Sequence, residues 1–72
     1  TGEAAFWAGE AYAIGNKHEQ AIKKYQQVIA LSGFQNKTLQ ARARYGLGYE
    51  YYNQKSYDKA LGYFREYVNS TP

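Results

Sequence analysis

The 72-residue sequence predicts an all-α fold, four antiparallel helices arranged as two helical hairpins. Three observations carry this. The apolar residues recur at helical spacing, no segment alternates with the period of two that a strand requires, and the two halves of the chain repeat one another. A shift of 39 residues places Ala4 on Ala43, Gly9 on Gly48, Tyr12 on Tyr51 and Ala21 on Ala60. The same shift pairs Phe6 with Tyr45, Glu19 with Asp58, Ile22 with Leu61, Tyr25 with Phe64 and Ile29 with Val68.

The first helix is expected over 3–15. Ala4, Ala5, Ala8, Ala11 and Tyr12 fall at i, i+1, i+4, i+7 and i+8, one face of a 3.6-residue period. It breaks at Gly15, Asn16 and Lys17. The second, 18–31, repeats the spacing with Ala21, Ile22, Tyr25, Val28 and Ile29, and stops near Gly33, which can take the left-handed conformation that ends helices. The third, 38–53, carries Ala43, Leu47 and Tyr51, with Thr38 as the expected N-cap. The fourth, 56–69, carries Ala60, Leu61, Phe64, Tyr67 and Val68, with Ser56 as its cap and Pro72 beyond its end. The short breaks inside each half make the paired helices antiparallel neighbours.

Gly9 with Ala21, and Gly48 with Ala60, are expected to let facing backbones approach closely. Gly inside a helix costs about 1 kcal/mol against Ala, so two glycines at equivalent places imply a packing reason. Gly46 and Gly62 lack counterparts, and the pattern supplies no reason for them. The composition agrees with such packing. Only nine residues are Leu, Ile or Val, against ten Ala and thirteen aromatics, nine of them Tyr. Small residues interlocked with flat rings suit close helices better than a sheet.

Composition also excludes functions. Without cysteine there is neither a disulfide framework nor a thiolate metal site, and a single histidine, His18, rules out a multi-histidine centre. No stretch approaches the 18 or so apolar residues that span a membrane. The net charge of +3 is spread over the chain with no run of like charges, so the basic residues read as a solvated surface. Dispersed in this way they do not make a nucleic-acid footprint, and nucleic acid is not an expected partner. The missing leader and initiator methionine at Thr1 are expected of a piece of a longer, processed chain.

The residues in the two halves resemble the tetratricopeptide repeat. Ala8-Gly9-Glu10-Ala11-Tyr12 and Leu47-Gly48-Tyr49-Glu50-Tyr51 look like its first-helix signature. Ala21-Ile22-Lys23-Lys24-Tyr25 and Ala60-Leu61-Gly62-Tyr63-Phe64 look like its second, and Pro72 matches its closing proline. The resemblance covers essentially the whole chain. It implies one domain over 1–72, repeat 1 at about 2–35 and repeat 2 at about 38–72, in a right-handed α–α superhelix. Two departures stand out. The family's early aromatic is replaced by Ala5 and Arg44, and the spacing of 39 exceeds the family's roughly 34. The extra residues fall around 32–38. Repeats of this length are similar to those of bacterial cell-envelope and lipoprotein arrays, while the lack of cysteine fits an oxidising or a reducing compartment alike.

The third helix carries a second apolar stripe. Tyr45, Tyr49 and Tyr52 cluster roughly 140° from the Ala43, Leu47 and Tyr51 face, bordered by Arg42 and Asn53. A neighbouring repeat, a bound peptide or a second molecule could cover it; equally, the stripe could pack between helices. The resemblance implies that inner helices line a concave groove, which puts Phe6, Glu10, Tyr45, Tyr49, Tyr52 and Asn53 in its wall. The Lys and Asn with which some members hold a terminal carboxylate are replaced here by Phe6, Glu10 and Gly46, so that clamp is not expected. Trp7 matches Gly46, which should face a preceding repeat. Trp7 is therefore expected to be exposed or buried between molecules, the alternative being a core residue.

Catalytic chemistry is not expected. His18 reads as a packing or capping side chain. Ser32, Ser56 and Ser70 have no His–carboxylate set. Glu10 and Glu50 are expected on opposite sides of different helices, and Gly46-Leu47-Gly48 lies within a helix rather than after a strand. The expected function is a non-catalytic protein-interaction module, with no cofactor or metal, that binds a peptide or protein segment in a tyrosine-lined groove. The alternative is a structural segment of a longer helical solenoid. Two repeats bury little and neither end reads as a polar cap, so self-association or further repeats are expected.

Overall fold

A computed structural model describes residues 2–31 and 36–70. It contains four helices: α1 (Gly2–Ile14), α2 (His18–Ala30), α3 (Lys37–Asn53) and α4 (Tyr57–Ser70), with no strand among the described residues. All four lie within two residues of their expected bounds. The proposed stops at Gly33 and Pro72 fall outside the described residues.

The duplication holds at the level of individual hydrogen bonds. At the end of α1, Gly15 N donates to Ala11 O, Asn16 N to Ala13 O and Lys17 N to Tyr12 O. At the end of α3, Gln54 N donates to Glu50 O, Lys55 N to Tyr52 O and Ser56 N to Tyr51 O. Each bond of one set is the other displaced by 39 residues. The left-handed residue at the matching position is Asn16 (φ 61°) in one turn and Lys55 (φ 63°) in the other.

Asn36, not Thr38, caps α3: its Oδ1 accepts from Leu39 N at 3.1 Å. Asn is among the strongest N-cap residues because its short side chain reaches the third amide of the helix. Thr38 lies one residue inside. Ser56 precedes α4, its backbone carbonyl accepting from Ala60 N at 3.0 Å.

Each helix packs on the next in sequence, α1 also touches α3, and no described residues of α1 and α4 come close. The core is built from Ala5, Phe6, Ala21, Tyr25, Val28, Leu39, Ala43 and Leu47. Two expectations are corrected here. The buried face of α1 is Ala5, Phe6 and Gly9, with Tyr12 and Ala13 packed against the core, while Ala4 and Ala11 are exposed. The spacing is the expected one moved by a single residue, because turning the helix that far buries a phenyl ring rather than methyl groups. On α4, Leu61 and Val68 are exposed rather than buried, and Ala60 faces inward.

The glycines meet rings, not alanines. A Cβ placed at Gly9 would stand 3.0 Å from the ring of Tyr25, and one at Gly48 would stand 2.7 Å from that of Phe64. Gly46, unexplained by the pattern, has the same role from the other side, with Tyr25 Cζ 2.7 Å from where its Cβ would lie. The ring of Tyr25 is thus held between α1 and α3. Gly62 has nothing within 4 Å of that point.

Candidate protein-binding groove

Between the hairpins, α1, α2 and α3 line an open groove of about 430 Å³, with Tyr67 of α4 at its wall beside Tyr45. Four of the expected site residues line it together: Glu10 from α1, and Arg42, Tyr45 and Tyr49 from α3. Tyr52 and Asn53 are exposed farther along α3 and do not line it, Tyr52 lying against the ring of Tyr57 at 5.3 Å. Phe6 is corrected. Expected in the groove wall, it is fully buried, with the ring of Trp7 at 5.0 Å in a T-shaped contact, Tyr25 at 6.2 Å and the Arg42 guanidinium 5.7 Å from its ring centre. Repeat equivalence with Tyr45 misleads because α3 lies alongside α1 and covers this position.

Tyr45, Tyr49 and Tyr52 are each about half exposed, at 49%, 52% and 53%. They are not sealed within their own hairpin. Tyr45 leans on Phe64 and Tyr67, with ring centres 5.6 and 5.2 Å away, which limits the conformations it must give up on meeting a ligand. Tyr51, on the core-facing stripe, stacks on Tyr63 at 5.7 Å with the rings 9° from parallel. Burial raises the Tyr63 hydroxyl above its ordinary range, with smaller contributions from Tyr51 and Glu66.

Two further parts of the groove were not anticipated. Tyr25 donates its hydroxyl to Glu10 Oε1 at 2.6 Å. Burial first, and then this bond to a carboxylate, push its pKa well above the tyrosine range. Its counterpart Phe64 has no hydroxyl, so a partner for that group was the signal to look for. The other part is Glu50, only 2% exposed on the groove wall, whose Oε2 is hydrogen-bonded to His18 Nδ1 from the start of α2. Glu10 and Glu50 therefore line one groove, against the expectation that they face apart. Each is held by a donor of its own chain, which leaves Arg42 as the exposed charge on the groove wall. Glu50 stands on the face of Ala43 and Leu47, and an acid at a buried helical spacing is a readable sign of an internal partner.

Among the described residues no group of three His, Asp or Glu side chains could hold a metal, and no helix is long and apolar enough to cross a membrane. Trp7 is 55% exposed.

Two repeated helical hairpins, a shared aromatic ring between them and an open inner face define a helical-repeat scaffold. Tetratricopeptide repeat models match the chain over residues 34–72 and over 3–32, and the chain belongs to the tetratricopeptide repeat family. Such repeats generally mediate protein–protein interactions and are typically non-catalytic scaffolds. No curated protein and no solved structure matches the chain.

Proposed function

We propose that the chain is a peptide-binding module whose ligand seats along the inner face of α3, in the groove between Tyr45, Tyr49 and Arg42. The observation that carries this reading is the row of half-exposed tyrosine rings on one helix face beside an open cavity. Tyrosine is well fitted to such a wall, with a large contact area, few rotors and a polar tip. Arg42 supplies a fixed cation for a carboxylate or backbone carbonyl of the ligand. On this reading the repeats span 2–35 and 38–72, and Tyr52 and Asn53 extend the contact beyond the groove proper.

The test is a titration of peptides selected against the chain, comparing wild type with Tyr49→Ala and with Lys23→Ala on the exposed side of α2. Tyr49→Ala should weaken binding about tenfold or more while leaving the unfolding midpoint nearly unchanged, and Lys23→Ala should do neither. A large loss of stability with unchanged binding would assign Tyr49 to packing instead. The second reading, an assembly segment of a longer scaffold, is favoured by the apolar side chains exposed at Trp7, Leu61 and Val68.

A further inference from the structure

Two apolar faces lie at opposite ends of the stack, away from the groove. On α1, Trp7 and Ile14 are 55% and 83% exposed, with exposed Ala11 between them, on the side of the helix away from Phe6 and Gly9. On α4, Leu61 and Val68 are 51% and 64% exposed, and together with Phe64, Arg65 and Asn69 they line an open depression of about 390 Å³.

The duplication relates both faces to a junction already present inside the chain. Displaced by 39 residues, Phe64 falls on Tyr25, and Leu61 and Val68 fall on Ile22 and Ile29, one turn to either side of it. Trp7 and Ala11 fall on Gly46 and Glu50, the residues with which α3 receives Tyr25 and His18 from α2. The α4 face is thus the α2 side of the junction repeated on an outer surface, and the α1 face is the α3 side. Both halves belong to one chain and point outward from opposite ends. The charges also match: exposed Glu3 stands one turn before Trp7, and exposed Arg65 rims the depression.

We propose that a second copy of this chain docks head to tail, with the α1 face of one copy on the α4 face of the next and Trp7 seated in the depression beside Phe64. The register cannot repeat the internal one. At Gly46 even a Cβ would stand 2.7 Å from the Tyr25 ring, so an indole at the matching position cannot lie over Phe64. The indole enters the neighbouring depression instead, which sets the copies farther apart than the two hairpins within one chain. An association of this kind joins two different surfaces, so it extends with concentration instead of stopping at a symmetric dimer.

The test uses sedimentation velocity and the emission of Trp7, the sole tryptophan, from about 1 μM to about 1 mM. The mass of the wild-type chain should grow with concentration while its emission shifts to the blue. Leu61→Glu should weaken association about tenfold or more, with Trp7 emission remaining that of a solvated indole. Trp7→Ala should weaken it similarly. Mixing the two variants should restore a one-to-one dimer, because each retains the face the other lacks. A wild-type chain that stays monomeric with constant emission would overturn the proposal, as would a mixture that remains monomeric. Association that survives Leu61→Glu but is lost in Tyr49→Ala would place the contact in the groove and overturn it as well.

Discussion

Tyr25 on α2 lies so close to Gly46 on α3 that a methyl group there would stand 2.7 Å from Cζ and 2.8 Å from Cε2. The contact ties one hairpin to the other, and it explains a glycine in the middle of a 17-residue helix.

Replacing Gly46 with Ala should therefore destabilise the chain although Ala is the better helix former. The overlap with a buried ring costs about 1–3 kcal/mol and the helix preference returns about 1 kcal/mol, so the urea midpoint should fall. Gly62→Ala, in open space, should raise it by the helix preference alone. Equal shifts of both variants in the same direction would contradict the packing account.

Tyr25→Phe removes the hydroxyl that Glu10 accepts and should cost about 1 kcal/mol near neutral pH. The pH dependence has a definite sign. The folded-state pKa of Tyr25 is raised, so the protonated hydroxyl contributes its full stability below the ordinary tyrosine value of about 10. Above that pH the unfolded chain ionises first, and stability falls as the folded pKa is approached. The gap between wild type and Tyr25→Phe should narrow from about pH 10 upward in chemical-denaturation profiles.

Truncating His18 to Ala strands a nearly fully buried carboxylate at Glu50. The expected loss is about 1–3 kcal/mol. The double variant His18→Ala, Glu50→Ala should lose less than the sum of its parts, because the stranded acid is then gone. Additive losses in a thermodynamic cycle would show that the two side chains do not interact.

Lys55 holds φ 63°, a conformation that costs a residue with a Cβ about 1 kcal/mol and costs glycine almost nothing. Lys55→Gly should raise the unfolding midpoint. The same change at Asn16 should gain less, since asparagine already tolerates the left-handed region.

What the sequence revealed and what it hid divide along a physical line. Helix positions and the antiparallel hairpins depend on local spacing, and Ala21, Tyr25, Val28, Ala43 and Leu47 are buried where the period puts them. Features set by contact between the hairpins were hidden. Phe6 reads as its counterpart Tyr45 until α3 lies alongside it. Glu50 has Ala11 as its counterpart, so only its spacing from Ala43 and Leu47 marks a buried acid, and that spacing does not reach its partner His18, 32 residues away. The groove was legible through Glu10, Arg42, Tyr45 and Tyr49. The depth added by Tyr25 and Gly46 was not, because a glycine reveals its purpose only through the ring that fills its space.

One aromatic side chain thus serves as a bolt through three helices. Prising α1 from α2 uncovers the same ring that α3 leans on, so the boundary between repeats is not a plane along which the molecule comes apart. Amide protons in both hairpins should exchange through a single shared opening event, and a fragment holding only one hairpin forfeits part of what keeps that hairpin closed.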